Sequence, residues 1–405
     1  MTIVVASGGE VTFLVDEISR LRAETPGCAE RIHLNNAGAG LMPAPVLRAI
    51  TEHLELESRI GGYEASDAQH AEIQSAYTAV GKLLGCASRN VAFVENATVG
   101  FQQALSAIPF ERGDAILTSN NDYISNQIMF LSLAKRFGVE IVRAPEAAEG
   151  GVCVAGFKKL LHQRRPVLVA VTHVPTNSGL VQPVEEIGRI CREAGVWYLV
   201  DGCQSAGQLA VDMAAIACDF FSATSRKFLR GPRGAGFLYV SDRALRAGLE
   251  PLFPDMRGAH WKSADRYEHA DDARRFENWE FAYALVLGTG AAADYAQRIG
   301  IERIEQRTTA LAALLRQELR AAGFRVLDRG ARQCGIVTVV IPGKEPEPFH
   351  HALELRGVNS SISRREYAVI DFAEKGVEWA LRLSPHYYNT EDEISRAINT
   401  IRQLA

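Results

Sequence analysis

Two signatures of apolar and polar positions alternate over the first 240 residues. Short, continuous apolar runs bounded by Gly, Asn, Asp or Thr read as buried strands, and stretches with apolar residues at helical spacing lie between them. A short strand at Ile32 runs into a glycine-rich loop, Asn35–Gly40. Further strands are read at Val91–Val94, Ala115–Thr118, Glu140–Arg143, Val167–Val174, Val196–Val200 and Asp219–Thr224. Phe237–Val240 follows a glycine-rich turn, Gly231–Gly236. Helices are read over Val11–Glu24, from Pro45 through Ile60, over Ala71–Leu84, after Glu95–Gly100 through Ala107, up to Phe137, over Gly156–Gln163 and over Val184–Ala194. Gly61–Tyr63 reads as a loop between two of these helices. Continuous apolar strands separated by helices predict an α/β fold, a mainly parallel sheet covered on both faces. Ligands of such sheets bind beyond the carboxyl ends of the strands. Thr98, Tyr123, Thr176, Asp201 and Lys227 all fall on that edge.

The pattern changes after Tyr239. Arg246–Ala273 is rich in charge, Pro, Trp and His, and reads as an irregular segment that covers a site or meets a partner subunit. Long helices follow over Tyr283–Ile299 and Ile301–Ala322. Beyond them the spacing predicts a smaller α+β unit. Its strands are read at Phe324–Leu327, Ile336–Ile341 and near Asn359–Ile362, and its helices at Pro348–Arg356 and Glu391–Leu404. The expected organisation is an N-terminal helical segment, 1–30, packed on the smaller unit, a large domain, 31–290, and a small C-terminal domain, 291–405.

Composition narrows the function classes. With 47% hydrophobic and 23% charged residues and a net charge of -4, the 405-residue chain offers no basic surface for nucleic acid or an anionic membrane. No apolar run reaches the length of a bilayer span, and the N-terminus lacks the basic region of a secretory signal. Seven scattered cysteines, an odd number without a CxxC pair, suit reduced thiols and a cytoplasmic location. His33, His173, His260 and His386 are spread along the chain, and no metal site is expected.

Two residues at the predicted carboxyl edge carry the candidate chemistry. Asp201 closes one apolar strand, and Lys227 follows the next, 26 positions on. A lysine able to form a Schiff base and a carboxylate able to keep a pyridine nitrogen protonated suit pyridoxal 5'-phosphate. The Glu95–Gly100 turn, a strand end opening a helix, provides free N–H groups for an anion, although Asn96 or Thr98 would equally serve as a plain N-cap.

In combination these motifs resemble the class V aminotransferase family, the cysteine desulfurase, C–S lyase and isopenicillin N epimerase-like branch of fold-type I enzymes. The resemblance runs over about residues 30–403. It implies a large domain built on a mainly parallel seven-stranded sheet, a small α+β domain and a homodimer. In VDGCQ, Asp201 and Gln204 resemble the pair on the pyridine nitrogen and the ring hydroxyl. Lys227, in TSRKFLRGPRGAGFLYV, resembles the Schiff-base lysine, and Ala97 and Thr98, in ENATVG, the phosphate turn. Tyr123 stands where the family often stacks a histidine on the ring. Thr176 lies in the loop on the ring-hydroxyl side. Thr224 and Arg226 replace the Ser and His that many members place against the phosphate, and an arginine fork can serve a phosphate. Arg382, in LRLSPHYYNTEDEI, matches the arginine for the substrate carboxylate. Asn36, Arg364 and His386 are further substrate-side candidates, and Arg230 and Arg233 are placed near phosphate or a subunit interface.

Two departures bear on the reaction. Desulfurases carry a nucleophilic cysteine shortly before the carboxylate arginine, whereas Val358–Ile370 contains none. Cys334, the one cysteine after residue 218, abuts a core strand and reads as a buried hydrophobe. RFENWE also places Trp279 and Glu280 where the family has a threonine for the partner's phosphate. The expected activity is therefore β-elimination from a cysteine derivative, giving pyruvate and ammonia, without a persulfide. An epimerase or aminotransferase is the alternative, and a non-catalytic subunit a third.

Overall fold

The computed structural model describes residues 13–405. Its first helix, α1, spans Val15–Ala23, so Val11 and Thr12 of the expected opening helix lie outside the described residues. Strand β1, Ile32–His33, precedes three helices: α2 over Ala44–Ile60, α3 over Gly62–Ala68 and α4 over His70–Leu84. Gly61–Tyr63 is thus not a loop. Gly61 alone breaks the chain, at a φ of 101° that ends α2, and Gly62 begins the next helix.

Seven strands form the large sheet: β2 (Val91–Val94), β3 (Ala115–Thr118), β4 (Glu140–Arg143), β5 (Leu168–Thr172), β6 (Trp197–Asp201), β7 (Phe220–Thr224) and β8 (Gly236–Val240). Their spatial order is β2-β8-β7-β6-β5-β3-β4. The strands from β7 to β4 pair in parallel, and β8 runs antiparallel to both its neighbours. Helices α5 (Ala97–Ser106), α6 (Ile124–Phe137), α7 (Val154–Arg164) and α8 (Val184–Ala194) make the crossovers, with short helices α9 (Met213–Ile216) and α10 (Asp242–Arg246) flanking β7 and β8. Strand period two divides the sheet's side chains between two cores. Val169, Val171, Val200 and Phe221 pack with Ile187 and Cys191 of α8. Leu168, Ala170, Leu199 and Phe220 pack with Phe101 of α5 and Phe130 of α6 on the other face. Both faces being buried, the strands read as continuous apolar runs.

Arg246–Ala273 is not wholly irregular. It contains an antiparallel hairpin, β9 (Ala259–Ser263) with β10 (Arg266–His269). Most of its residues are exposed, so the alternation that marks a half-buried strand is missing. Helices α11 (Tyr283–Ile299) and α12 (Ile301–Ala321) follow, α11 lying against α2 and α4.

The C-terminal unit contains β11 (Val337–Val339), α13 (Pro346–Leu355), β12 (Val358–Asn359), β13 (Ser361–Arg364), α14 (Val369–Lys375), β14 (Trp379–Leu383) and α15 (Glu391–Leu404). β14 is the centre of an antiparallel sheet, β11-β14-β13. Leu311 and Leu315 of α12, Val337, Leu381 and Ile398 form its core. Phe324–Leu327 is not a strand, since only Val326 makes an isolated bridge, to Val339. β1 pairs in parallel with β12, so Ile32 and His33 join this unit rather than the large sheet. α1 packs on it too, through Arg303–Glu17 and Arg22–Glu393 ion pairs. No helix among the described residues is long and apolar enough to cross a membrane.

Candidate active site

Register levels the carboxyl ends of the central strands. Asp201, the last residue of β6, pairs with Thr172 of β5 and Ser222 of β7. Lys227 follows three residues beyond β7, buried, with its amine 5.9 Å from the centre of the Tyr123 ring. Burial pushes the Lys227 amine below its ordinary pKa, while Cys203 and Asp201 oppose the shift. Asp201 is held at both oxygens: the Cys203 amide donates to Oδ1 and Asn126 Nδ2 to Oδ2, each at 3.0 Å.

Arg382 comes to this edge from β14, opposite Ser361 and Thr338. Its guanidinium donates to Thr176 Oγ1 at 2.7 Å, to the Thr176 carbonyl at 3.1 Å and to Asn35 Oδ1 at 3.4 Å. Burial, with the charge of Arg226 adding to it, pushes Arg382 down to about 10. Gln204 Nε2 donates to Thr176 Oγ1 and to the Ala37 carbonyl, both at 3.0 Å. One hydroxyl, Thr176, therefore joins Arg382 to Gln204 across the two units.

On the opposite side α5 begins at Ala97. The Asn96 side chain caps it by accepting from the Val99 amide at 3.0 Å, so the capping residue is Asn96 and Thr98 is free of that role. The first-turn amides of Ala97 and Thr98 have no intrahelical acceptor. Gly236 allows this approach, because a Cβ there would stand 2.9 Å from the Ala97 nitrogen. Arg226 donates to the Gly38 carbonyl, and burial pushes its pKa down.

Several candidates stand elsewhere. Thr224 donates to the Ala235 carbonyl at 3.2 Å, so its proton is not free for a phosphate. Asn36 is fully buried: its amide donates to the Ser384 carbonyl at 2.8 Å, and its oxygen accepts from the Tyr388 hydroxyl. The residue that meets Arg382 is its neighbour, Asn35. Arg364 lies three residues along β13 from Ser361, hence on the other face of the sheet, and pairs with Glu347 of α13. His386 is buried with both ring nitrogens engaged, by Thr308 Oγ1 at 3.1 Å and the Phe228 carbonyl at 2.8 Å, and lines no entrance. Arg230 touches neither phosphate turn nor surface. It is buried over the Tyr387 and Tyr388 rings and donates to the Leu41 carbonyl, Tyr387 and Thr25.

Asp122 and Asn126, placed behind Asp201, were not singled out by sequence. Asp122 precedes the N-cap of α6, Tyr123, and Asn126 lies in its first turn, so the signal for them is a polar cluster at the carboxyl end of β3 where a helix begins.

Among the described residues, the buried polar atoms of this edge without a partner in the protein include Gln204 Oε1, Arg382 Nε and Ser222 Oγ. Together with a buried lysine of lowered pKa, a carboxylate aimed by two donors and an open helix N-terminus, they fit a flat cofactor carrying a ring nitrogen, a ring hydroxyl and a phosphate. Comparison with known proteins agrees. Residues 32–397 match the family described as aminotransferase class-V. A probable cysteine desulfurase of Methanothermobacter thermautotrophicus is 31% identical over 392 residues, covering 95% of this chain and 97% of that one. The apo cysteine desulfurase of Thermococcus onnurineus NA1 superimposes with a TM-score of 0.87 at 25% identity, over 95% of this chain and 97% of the other. The cystine C–S lyase C-DES, solved with its product cysteine persulfide, shares the fold with a TM-score of 0.83 at 24% identity, over 93% and 99% of the two chains. This chain belongs to the class-V aminotransferase family of fold-type I enzymes, and its cofactor is pyridoxal 5'-phosphate.

Proposed function

We propose that this protein is a C–S lyase that eliminates the sulfur substituent of a cysteine derivative and releases it as a free small molecule. The observation that carries the reading is the absence of a thiol along residues 358–381, the stretch leading to Arg382. In place of an open cysteine-bearing loop, that stretch is β12, β13 and helix α14. The thiol that does lie near Lys227 is Cys203, and burial pushes it up to about 12, so it is a poor nucleophile near neutrality. Cys334 is fully buried, in the core that packs against the large sheet.

When bound, the cofactor draws electrons from the substrate's Cα and so weakens the bonds at that carbon. The protein supplies the rest. Asp201 would keep a proton at the ring nitrogen, Gln204 and Thr176 would meet the ring hydroxyl, Tyr123 would cover the ring, and the amides of Ala97 and Thr98 with Arg226 would hold the phosphate. Arg382 pairs with the α-carboxylate and fixes which bond at Cα stands ready to break. The Lys227 amine, its pKa lowered by burial, accepts the α-proton. The Cβ–S bond then breaks, and sulfur leaves with the bonding pair as a thiolate. The unsaturated amino acid left behind takes up water and falls to pyruvate and ammonia.

A homodimer belongs to the same reading, supported by the large apolar side chains exposed beyond β8, Phe253 at 83% and Trp261 at 81%. Purified protein, loaded with cofactor and given a cysteine conjugate with a good leaving group, is expected to release thiol and pyruvate in equal amounts, with no alkylatable persulfide on the protein. A keto acid formed without thiol, or a D-amino acid without elimination, would replace the lyase reading by aminotransfer or epimerisation.

A further inference from the structure

Behind Asp201 lies a second buried carboxylate that the scheme above leaves unused. Asp122 follows β3 and is 6% exposed. Its Oδ1 accepts from the Tyr123 amide at 2.7 Å, from Asn126 Nδ2 at 3.3 Å and from the Thr172 hydroxyl. Its Oδ2 accepts from Thr118 Oγ1 at 2.9 Å and from Gln127 Nε2 at 3.2 Å. Thr172 Oγ1 itself receives N–H groups from Tyr123 and Asn126, at 3.1 and 3.5 Å, which leaves its own hydrogen for Asp122. Three of these neighbours, the Tyr123 amide, Asn126 Nδ2 and Gln127 Nε2, are N–H groups that can only donate. Together with the two threonine hydroxyls they favour the carboxylate, against the burial and the Asp201 charge that push its pKa up. Its counter-charge stands one layer out, where Arg143 of β4 donates to Gln127 Oε1 at 2.8 Å.

One side chain ties this layer to the site. Asn126 Nδ2 reaches Asp201 Oδ2 at 3.0 Å and Asp122 Oδ1 at 3.3 Å, so two carboxylates lie within hydrogen-bond reach of one nitrogen. The charged and titratable groups facing the pair are Arg143, through Gln127, and Lys227 and the Cys203 thiol on the site side. A neutral donor placed between like charges keeps both oxygens fixed, and neither carboxylate has to take a proton to be satisfied.

We propose that Asp122 and Asn126 are positioning residues for the cofactor's ring nitrogen: Asn126 aims the Asp201 carboxylate, and the Asp122 charge behind it strengthens Asp201's hold on the ring-nitrogen proton. This rests on the pyridoxal-phosphate reading of the site. A charge within about 4–6 Å moves a pKa by about 1–3 units, and Asp122 acts from one residue further back, so removing its charge costs the ring nitrogen about tenfold in proton affinity. The test loads wild type, Asp201→Asn, Asp122→Asn, Asn126→Ala and Asn126→Ser with pyridoxal 5'-phosphate isotope-labelled at the ring nitrogen. The nitrogen resonance is followed by NMR across pH, with circular dichroism as the control for folding. Asp122→Asn and both Asn126 variants are expected to retain the cofactor and to deprotonate the ring nitrogen at lower pH than wild type, less severely than Asp201→Asn. Should Asp122→Asn fail to fold, Asn126→Ser carries the same expectation. Wild-type titration in the Asp122 and Asn126 variants, alongside a shifted Asp201→Asn, overturns the inference and leaves the cofactor reading standing. A nitrogen that stays protonated throughout in those variants overturns it equally. A wild-type chain that takes no cofactor removes the reading beneath it.

Discussion

Glu277→Ala should be among the most destabilising single changes in this chain, and its cost follows from the contacts. Glu277 is 1% exposed and accepts from the Phe93 amide of β2 at 2.9 Å, from the Tyr77 hydroxyl of α4 at 2.8 Å and from Arg257 Nε at 2.8 Å. Three separate parts of the chain converge on one carboxylate. Truncation leaves an orphaned amide in the core and a guanidinium, mostly covered and stacked over Phe281, without its counter-charge. Breaking a buried pair by removing one partner costs about 3–5 kcal/mol. Arg257 keeps 19% side-chain exposure, so water recovers part of its charge and the lower end, about 3 kcal/mol, applies. Urea unfolding followed by both fluorescence and circular dichroism reads this as a midpoint shift at constant slope. Glu277→Ala combined with Arg257→Met should be no less stable than Glu277→Ala alone, because the stranded charge is gone. A loss below about 1 kcal/mol, or strictly additive effects in the double variant, would refute the reasoning. The consequence reaches the site, since Asn278 bonds Glu95 at 3.1 Å just before α5, and the variant should hold its cofactor less tightly.

The other predictions are simpler. Lys227→Ala should fold normally yet lose the visible absorbance of the bound cofactor, and borohydride reduction of wild type with peptide mapping should mark Lys227; marking Lys262 would show the assignment to be wrong. Arg382→Ala should lower kcat/KM for the amino-acid substrate by about 10–100-fold, the worth of one charge-assisted contact of about 1.5–3 kcal/mol, and Arg382→Lys should recover only part. An unchanged kcat/KM would remove Arg382 from the carboxylate site. His33 is buried neutral, with Ala39's carbonyl at one nitrogen and Asn359 Nδ2 at the other, and burial lowers its pKa to about 4. The unfolded chain takes up that proton near pH 6.5 and the folded chain only near 4, so stability must fall as pH drops through this window, by about 3 kcal/mol from this residue. His33→Asn should flatten the fall measured by urea unfolding at stepped pH, and an unchanged pH dependence would contradict it.

Legibility in the sequence tracks burial. β5, β6 and β7 are covered on both faces, so their apolar runs stood out, and Asp201 and Lys227 could be placed at the edge from those runs alone. The β9–β10 hairpin escaped because its residues are exposed. β14 escaped for a different reason: it is five residues, Trp379–Leu383, carrying an arginine at the centre of a sheet otherwise built from short strands. Arg382 was found only through the resemblance, while the strand that delivers it went unread. β1 was read correctly as a strand, but its partner, β12, lies more than 300 residues on, and local pattern cannot assign a strand to a sheet.

Asn36 and Arg364 show how local geometry separates a candidate from the neighbour that faces the site. Asn35 and Asn36 are adjacent and chemically identical, yet Asn35 makes a bridge to Ser384 while Asn36 opens the turn that follows, so one reaches Arg382 and the other is locked between Ser384 and Tyr388. Arg364 is turned away by strand parity against Ser361. Composition cannot decide parity at an irregular strand end; the partner across the ladder does. Asp122 is the opposite case. Its residue type and position at the head of a helix were visible, but a carboxylate there is ordinarily a cap. What sets it apart is that Thr118, Thr172, Asn126 and Gln127, from two strands and one helix, all turn donors inward on it. A charge sunk behind the reactive edge and supplied with donors from three elements is costly to maintain unless something in front of it gains from the field. In this fold Asp201 stands in front, and what would gain is the positive charge of the ring-nitrogen proton that Asp201 holds.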